Sequence, residues 1–564
     1  MAKLSLQNVF ASESANSFSG INRCDLAGKL SEAYDMTNLR ILCDGSLARR
    51  EGYACLAQMP DPVTAVAASP TQPELLYAVS GGTLYSISLI DGSLSTLQPV
   101  GSYNDPACFF TMPDKLFLVC GEIYEITSAG VKGVNGYVPL IGRGWGIHGG
   151  KPYEPLNLMS QRAHIHYVID EPTTMLYTGL NLLSVDAVYA NGALVNDSVP
   201  GDSTYVQLPY TLENQTEVDV YVTVNSSELA DRAELMSCTQ GYSCGKGDRA
   251  IAALFGGKNA NRMFCIKQAN DTQQAASTLV YSEAGKIYCP MGQMPLTDMP
   301  GGIRAVCGEP DCLLVIGAYN SRRIYPDGEL SIPGAGGCKA QSSVAYFNGT
   351  AYISSIDGVR RLPLRSGPSE LISNPLGDLL SPDASADAVL YYNPVANELI
   401  VSDPEDSAGT AFIFNAAREC WYKFEGIGAQ GFFRHPTDAA VYFWVDDGIF
   451  KFASELTCDC ALDGNSYPIP ILYRSCWSAL GKSDDVKRVR RMKAVMSGGG
   501  CVRAQLSDPL SVICSQDLEV EAGEQLSMFD RAVRSGRAIH LRLTLSSQDT
   551  APTRIHGFAL SAIK

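Results

Sequence analysis

Histidine and tryptophan are scarce, at six and four in a chain of 564 residues. Few histidines leave little material for metal centres or for proton transfer near neutral pH. His164 and His166 are spaced to share one face of a strand, as two metal ligands would be. No third ligand stands near them, and an exposed sheet face accounts for the pair. No Cys-x-x-Cys pair occurs, which removes the zinc-ribbon reading. Asp446-Asp447-Gly448 lacks the longer ligand series of a calcium loop and reads as a hairpin turn. Ser497-Gly498-Gly499-Gly500 lacks the Lys-Ser/Thr of a phosphate loop and reads as a turn between strands. The Ser-x-Asp-x-Gly-x-x-Trp box of propeller sialidases is absent. Trp145, Trp421, Trp444 and Trp477 make a sparse set of sugar-stacking platforms. No residue can be assigned a catalytic role, no cofactor or metal is expected, and the chain reads as a non-enzyme.

Long apolar runs are missing too. No segment approaches the roughly 18 apolar residues of a membrane helix, and residues 1–14 lack the apolar core of a secretory signal. The expectation is a protein made in the cytoplasm with no membrane insertion. Helical periodicity is equally thin: 228–236 and 525–533 support a turn or two.

What is present is apolar material for several cores, 46% of residues against 18% charged, which excludes global disorder. The net charge of −16 excludes a nucleic-acid binder of the basic-patch kind. The charge is unevenly spread. Residues 461–564 hold 14 Lys and Arg against 10 Asp and Glu, leaving 29 against 49 elsewhere. A body of one sign carrying an end module of the other is a device for ordered assembly. The 18 cysteines are scattered singly, as Cys120, Cys265 and Cys338 show, and read as buried free thiols. Cys458/Cys460, Cys307/Cys312 and Cys238/Cys244 are the close pairs that depart from this pattern.

Short strands bounded by Gly, Pro, Asn and Asp dominate, and four of them recur in one form. Leu76-Tyr77 is followed by Gly82 and Leu84-Tyr85, and Leu116-Phe117 by Gly121 and Ile123-Tyr124. Ala351-Tyr352 is followed by Gly358 and Val359, and Val441-Tyr442 by Gly448 and Ile449-Phe450. Each reads as strand, glycine turn, strand. Such units bury their faces by stacking around an axis. The fold expected is all-β: a β-propeller with an inserted β-sandwich and a C-terminal β-sandwich. The N-terminal segment and first blades occupy 1–154, the insert 155–250, the remaining blades 251–460 and the C-terminal sandwich 461–564. The insert is marked by the Val188–Val195 stretch with its Asn191-Gly192 turn and by the alternating Val218, Val220, Val222 and Val224. The last unit is marked by alternation over 539–545.

Several segments, in order, resemble the tail nozzle or packaged-DNA stabilisation proteins of short-tailed phages. The first is Met36-Thr37-Asn38-Leu39-Arg40 followed by Arg49-Arg50-Glu51-Gly52-Tyr53, similar to an Asn-Leu segment and an Arg-x-Gly-Tyr. The second runs from Leu254-Phe255-Gly256-Gly257-Lys258-Asn259 through Arg262-Met263-Phe264 to Tyr288-Cys289-Pro290. The third is Gly337-Cys338 with Ile356-Asp357-Gly358-Val359. The fourth is 410–415 with Trp421 and Asp447-Gly448-Ile449-Phe450. The likeness spans 36–564 in outline and departs over 60–150, where only generic hairpins occur. It implies a structural virion protein of the phage neck or tail, forming a ring or tube that retains and conducts the genome. A hexamer, portal or adaptor neighbours and passage of DNA without sequence-specific contact are also implied. So are structural roles for the motif residues: Gly52, Gly358 and Gly448 as turn formers, Trp421 as core.

The residues themselves offer one candidate interaction surface. Lys482, Lys487, Arg488, Arg490, Arg491 and Lys493 crowd one segment, and Arg531, Arg534 and Arg537 form a second cluster. A solvated strand edge is the plain reading; docking on an acidic neighbour is the sharper one; contact with DNA is the third. Two other functions compete with the virion reading. A receptor- or carbohydrate-binding tail protein predicts exposed aromatics on the insert. A propeller hydrolase predicts carboxylates converging at the axis.

Overall fold

The computed structural model describes residues 10–15, 17–23, 28–103, 106–112, 115–120, 122–134, 138–154, 156–157, 161–202, 204–225, 252–255, 262–267, 278–283, 286–309, 312–325, 328–332, 336–363, 367–462, 464–480, 486–533 and 537–563. The chain is all-β: a β-propeller carrying two further β units. Seven four-stranded antiparallel blades form the ring, six as separate sheets and the sixth blade as the end of a larger 14-stranded sheet. Blade 1 is Val63–Ala68, Leu75–Ser80, Thr83–Ser88 and Leu94–Pro99. Blades 2 to 6 follow over 108–133, 252–295, 303–332, 344–371 and 389–424. Blade 7 takes three strands from 431–453 and its fourth, Gly52–Gln58, from near the start of the chain. The first strand of each blade lies beside those of its two flanking blades all the way round, so the ring closes.

The four hairpins that repeat in the sequence are the second and third strands of blades 1, 2, 5 and 7. Their alternating apolar side chains build the layers between blades. Tyr77, Val79 and Leu84 of blade 1 meet Leu116, Leu118 and Ile126 of blade 2. Val66, Leu76 and Ile87 on the other face of blade 1 meet Tyr442, Trp444 and Ile449 of blade 7. Each fully buried side chain of this size contributes about 1.5–3 kcal/mol. Such layers between successive sheets hold the ring together.

A separate two-sheet unit interrupts the ring between blades 2 and 3. One sheet contains Leu140–Trp145, Arg162–Val168, Glu217–Val224, Leu182–Ala190 and Ala193–Leu194; the other contains Thr173–Tyr177, Tyr205–Leu212 and Val199–Asp202. Ile165, Tyr167, Val188, Leu176, Val206 and the alternating Val218, Val220, Val222 and Val224 fill the space between them. The unit begins by residue 140, earlier than the expected 155, because Leu140–Trp145 pairs with Arg162–Val168 and Trp145 packs edge-on to Tyr167. Residues 226–251 lie outside the described set.

The C-terminal unit is not the self-contained sandwich expected over 461–564. Arg554–Ile563 pairs with Phe10–Ala15 and with Leu47–Arg49, and Ile471–Ser475 pairs with Ala33–Thr37. Ala33–Thr37 runs parallel to Cys420–Phe424 and so joins the unit to blade 6. Phe18 packs on Tyr473 and Phe558 at centroid distances of 5.1 and 5.7 Å. The strands Phe10–Ala15, Ala33–Thr37 and Leu47–Arg49, expected within the 1–154 unit, thus belong to this terminal module, because the C-terminal strands alone leave apolar faces that the N-terminal strands cover.

The longest feature of the module is a hairpin of two 21-residue strands, Lys487–Ser507 and Val512–Ala532. Ser497-Gly498-Gly499-Gly500 is not a turn between strands. It is a bend inside the first long strand, where that strand leaves Arg554–Ile563 and takes up Arg542–Ser547. The three glycines have φ of 93°, 104° and 92°, and a Cβ on Gly498 would sit 2.0 Å from the Pro552 carbonyl oxygen.

Thirteen cysteines have described side chains and all are free thiols, among them Cys307, Cys312, Cys458 and Cys460; Cys238 and Cys244 fall outside the described residues. Burial pushes the Cys420 thiol up to about 11 and moves Cys338 in the same direction, so both stay protonated and unreactive. Mass spectrometry without reductant is expected to find no internal bridge. In the folded protein, exposed Cys43 and Cys501 should alkylate first; fully occupied bridges would contradict this arrangement.

Candidate assembly surface and a buried junction

The basic segment lies at the start of the first long strand, and the strand's register sorts its side chains. Simple alternation would put Arg488 and Arg490 on one face and Lys487, Arg491 and Lys493 on the other. The pairing with Arg554–Ile563 slips between Val489 and Arg491, opposite Ala562 and Ser561, so one extra residue is inserted. The slip reverses the phase. Val489, Met492, Ala494 and Met496 point into the core, while Arg488, Arg490, Arg491 and Lys493 are all exposed.

Four of the five expected surface cations therefore share one outward row. Lys487 does not: it is fully buried, because it precedes the bulge and keeps the inward phase of Val489. Arg491 and Lys493 stand 3.4 and 3.7 Å from Asp530 of the opposite strand. These exposed pairs contribute about 0–1 kcal/mol. Among the described residues, no carboxylate pairs with Arg488 or Arg490. Arg531 is exposed in the same hairpin, Arg537 pairs by its backbone with Arg488, and Lys482 and Arg534 lie outside the described residues.

Elsewhere in the module, a buried junction built from Asn38, Arg49 and Arg50 fixes it to the propeller. The Arg50 side chain is 1% exposed, and all five of its N–H groups donate. Nε bonds Asn38 Oδ1 at 3.0 Å; the terminal nitrogens bond both oxygens of Asp459 at 2.9 and 2.6 Å and the carbonyls of Glu51 and Glu425 at 2.9 and 2.8 Å. Asn38 holds a left-handed backbone, φ 55°, accepts from the Glu425 N–H at 2.8 Å and donates to Pro470 O at 2.9 Å. Arg49 reaches the other way, to Asp549 and the Ile469 carbonyl. Tyr53 closes the set, its hydroxyl donating to Gly426 O at 2.9 Å. Four stretches distant in sequence thus meet at one arginine-rich turn.

A second buried group adjoins it. Arg40 pairs with Glu398 at 3.1 Å and Glu51 at 3.0 Å, and the Tyr422 hydroxyl donates to Glu398. Burial pushes the Glu398 carboxyl up and Arg40 pulls it back in part, leaving it raised. Asp459 is raised for the same reason, with Arg50 opposing burial. These groups are structural: each links the N-terminal stretch to blade 6 or to the chain just after blade 7.

Of the glycines expected to form turns, Gly358 does so, with φ 117°. Gly448 holds the same place in the blade 7 hairpin, pairing with Val445 as Gly358 does with Ser355, but without a positive φ; Gly52 begins a strand. A Cβ on Gly52 would lie 1.9 Å from the Cys458 carbonyl oxygen, and one on Gly448 would meet the Phe450 ring at 2.6 Å. The left-handed position of the blade 7 turn is Asp446, φ 48°. His164 bonds Asp219 at 2.8 Å and stacks on Tyr221 at 4.3 Å, and His166 accepts from the Gly144 N–H. Among the described residues no group of His, Cys, Asp and Glu has the placement of a metal centre. No described helix is long and apolar enough to cross a membrane.

Asp44 ties the N-terminal turn to the last strand through Arg554 at 2.6 Å. The Ser46 hydroxyl and N–H bond its carboxylate at 2.6 and 3.0 Å and, with Arg554, hold its pKa at about 2, below the ordinary 3.8. A depressed folded pKa gives stability that is present above the ordinary value and lost as pH falls towards 2. Asp44→Asn is expected to lower the melting temperature at pH 7, with the difference closing as both proteins are taken to pH 2. A constant difference across that range would contradict the assignment.

The sequence matches no family model and no curated protein. Solved structures similar in shape are WD40 propellers. The Pan2 WD40 domain of Neurospora crassa has TM-score 0.36 at 7% identity, covering 72% of this chain and 97% of that one. The RRP9 WD40 repeats give 0.36 at 7%, covering 72% and 98%, and the C-terminal WD40 domain of Sif2 gives 0.34 at 8%, covering 72% and 99%. The propeller assignment here stands on the seven blades and their closure.

Proposed function

We propose that this chain is a non-enzymatic structural protein of a phage neck or tail, one of several copies in a ring or tube that retains and conducts the genome. The observation that carries the proposal is the junction. The residues that resemble the nozzle family at the N-terminus, Asn38-Leu39-Arg40 and Arg50-Glu51-Gly52-Tyr53, are the ones that bind the terminal module to the propeller. A wall element that bears internal pressure needs its modules tied by buried bonds, and this junction supplies them. The acidic body suits a channel that must not hold DNA, since like charge opposes adhesion. In this reading the neighbours are copies of itself, six by the family resemblance, and portal or adaptor proteins, and the location is the virion. The direct test is peptide mass spectrometry of purified parent particles with antibody labelling in micrographs: the chain is expected in multiple copies at the neck or tail. Its absence from particles would overturn the proposal.

One observation favours a second reading. The insert exposes Tyr153, Tyr177, Tyr189 and Tyr210, at 57%, 47%, 36% and 52%. A tail protein that grips a surface carbohydrate would use such side chains, their rings against sugar faces and their hydroxyls to hydroxyls. Binding of the purified chain to host-cell envelopes, lost in Tyr177→Ala with Tyr210→Ala, would support it; equal binding by the variant would not.

A further inference from the structure

The bulged basic row calls for an acidic partner, and the same chain carries one. On the propeller, the loops joining the second and third strands of blades 6 and 7 are acidic. Asp403, Glu405 and Asp406 stand in the 403–410 connection, and Asp446 and Asp447 in the turn between Val441–Val445 and Gly448–Ala453. Between them is an open depression of about 390 Å³ lined by Glu405, Asp406 and Asp446, with Tyr53, Phe443 and Phe450 also in its wall. Carboxylates beside aromatic rings suit a guanidinium, which bonds the former and packs on the latter. The Thr410 side chain and the N–H groups of Ala408 and Thr410 bond the Asp406 carboxylate and favour its ionised form.

We infer that the outward row Arg488, Arg490, Arg491 and Lys493 of one copy docks on the acidic loop face of blades 6 and 7 of a second copy. The inference rests on the ring proposed above and names the two surfaces that would form its contact. Three observations support it. The bulge brings the four cations to one face where plain alternation would divide them. Arg488 and Arg490 have no carboxylate partner within their own chain among the described residues. The partner surface has opposite charge and a depression of a size to take arginine ends. Two different patches in contact make a head-to-tail interface, the kind that closes into rings when the rotation permits. Opposite patches also set the rate and register of encounter.

The test uses the full chain and follows self-association by sedimentation and mass photometry at low and high salt. Wild type is expected to self-associate, and less so at high salt because screening weakens the attraction. Arg488→Glu with Arg490→Glu should weaken association by about 100-fold or more, since like charges then face each other. Glu405→Lys with Asp447→Lys should weaken it to the same degree. The combined four-site variant should regain much of the association, a recovery that general damage to folding cannot produce. Melting temperatures within a few degrees of wild type are expected for both double variants. If the basic variant dissociates and the acidic one does not, the inferred partner surface is wrong, although the ring proposal stands. Wild-type protein that stays monomeric at every concentration overturns both. Salt-dependent binding of duplex DNA that is lost in the basic variant, with self-association unchanged, assigns the row to nucleic acid and overturns the inference.

Discussion

Replacing Arg50 by alanine is expected to destabilise the protein by about 3–5 kcal/mol, the range for breaking a buried ion pair from one side. The size follows from what remains. Asp459 is left buried with no cation beside it, and the Glu425 and Glu51 carbonyls and Asn38 Oδ1 each lose a donor. Arg50→Lys should recover little, because an ammonium cannot supply five donors in a planar fork. Asp459→Asn combined with Arg50→Met removes both charges and should cost less than Arg50→Ala alone. Chemical denaturation of the three variants checks the order. Because the junction also joins module to propeller, Arg50→Ala should loosen the contact first. Hydrogen exchange should rise at 36–53 and 459–475 before it rises in blades 1 to 4. Uniform exchange with an unchanged denaturation midpoint would remove the junction from the account.

Trp421→Ala is expected to cost about 3–5 kcal/mol, as for other buried Trp truncations. Trp421 is fully buried, its indole N–H donates to Ile372 O at 2.8 Å, and its ring lies 5.0 Å from that of Phe414. It sits in the outer strand of blade 6 and its bond reaches the chain just after blade 5, so the lost volume opens a layer between blades. Its own carbonyl accepts from Ile21 N–H at 2.7 Å, which ties the N-terminal stretch to the same strand. Trp421→Phe keeps much of the volume but leaves the Ile372 carbonyl without its donor, and should fall between wild type and Trp421→Ala. A melting temperature unmoved by Trp421→Ala would show that the residue is not a core anchor.

The propeller was legible where a blade's middle hairpin is short and its sequence carries a glycine between the two strands, as in blades 1, 2, 5 and 7. Blade 6 hides the same hairpin behind the eight-residue 403–410 connection. Blade 4 turns through Ala318-Tyr319-Asn320, with its glycine inside the preceding strand. Blade number was out of reach because the apolar layers lie between sheets, and local alternation does not say which sheet faces which. The terminal module was read as self-contained because its own strands alternate cleanly. That Phe10–Ala15 and Ala33–Thr37 complete it depends on pairings across more than 400 residues, which no local pattern encodes.

Lys487 was grouped with its neighbours by charge, and charge does not reveal strand phase. The sequence did carry a signal: apolar residues at 489, 492, 494 and 496 break a strict period of two at one place. That break is the bulge, and it decides which cations reach the surface. The Arg50 junction was legible as a motif and silent as a mechanism, since Asp459 and Glu425 lie 409 and 375 residues away.

As a wall element of a multi-copy ring, the role proposed above, this propeller must self-assemble. Electron micrographs of the purified full-length chain, class-averaged at low salt, test this most directly. Hollow rings or short tubes with a fixed number of copies are expected, in which the long hairpin of each copy meets the propeller of the next. Isolated monomers at every protein concentration, with no ring in any class, would contradict it.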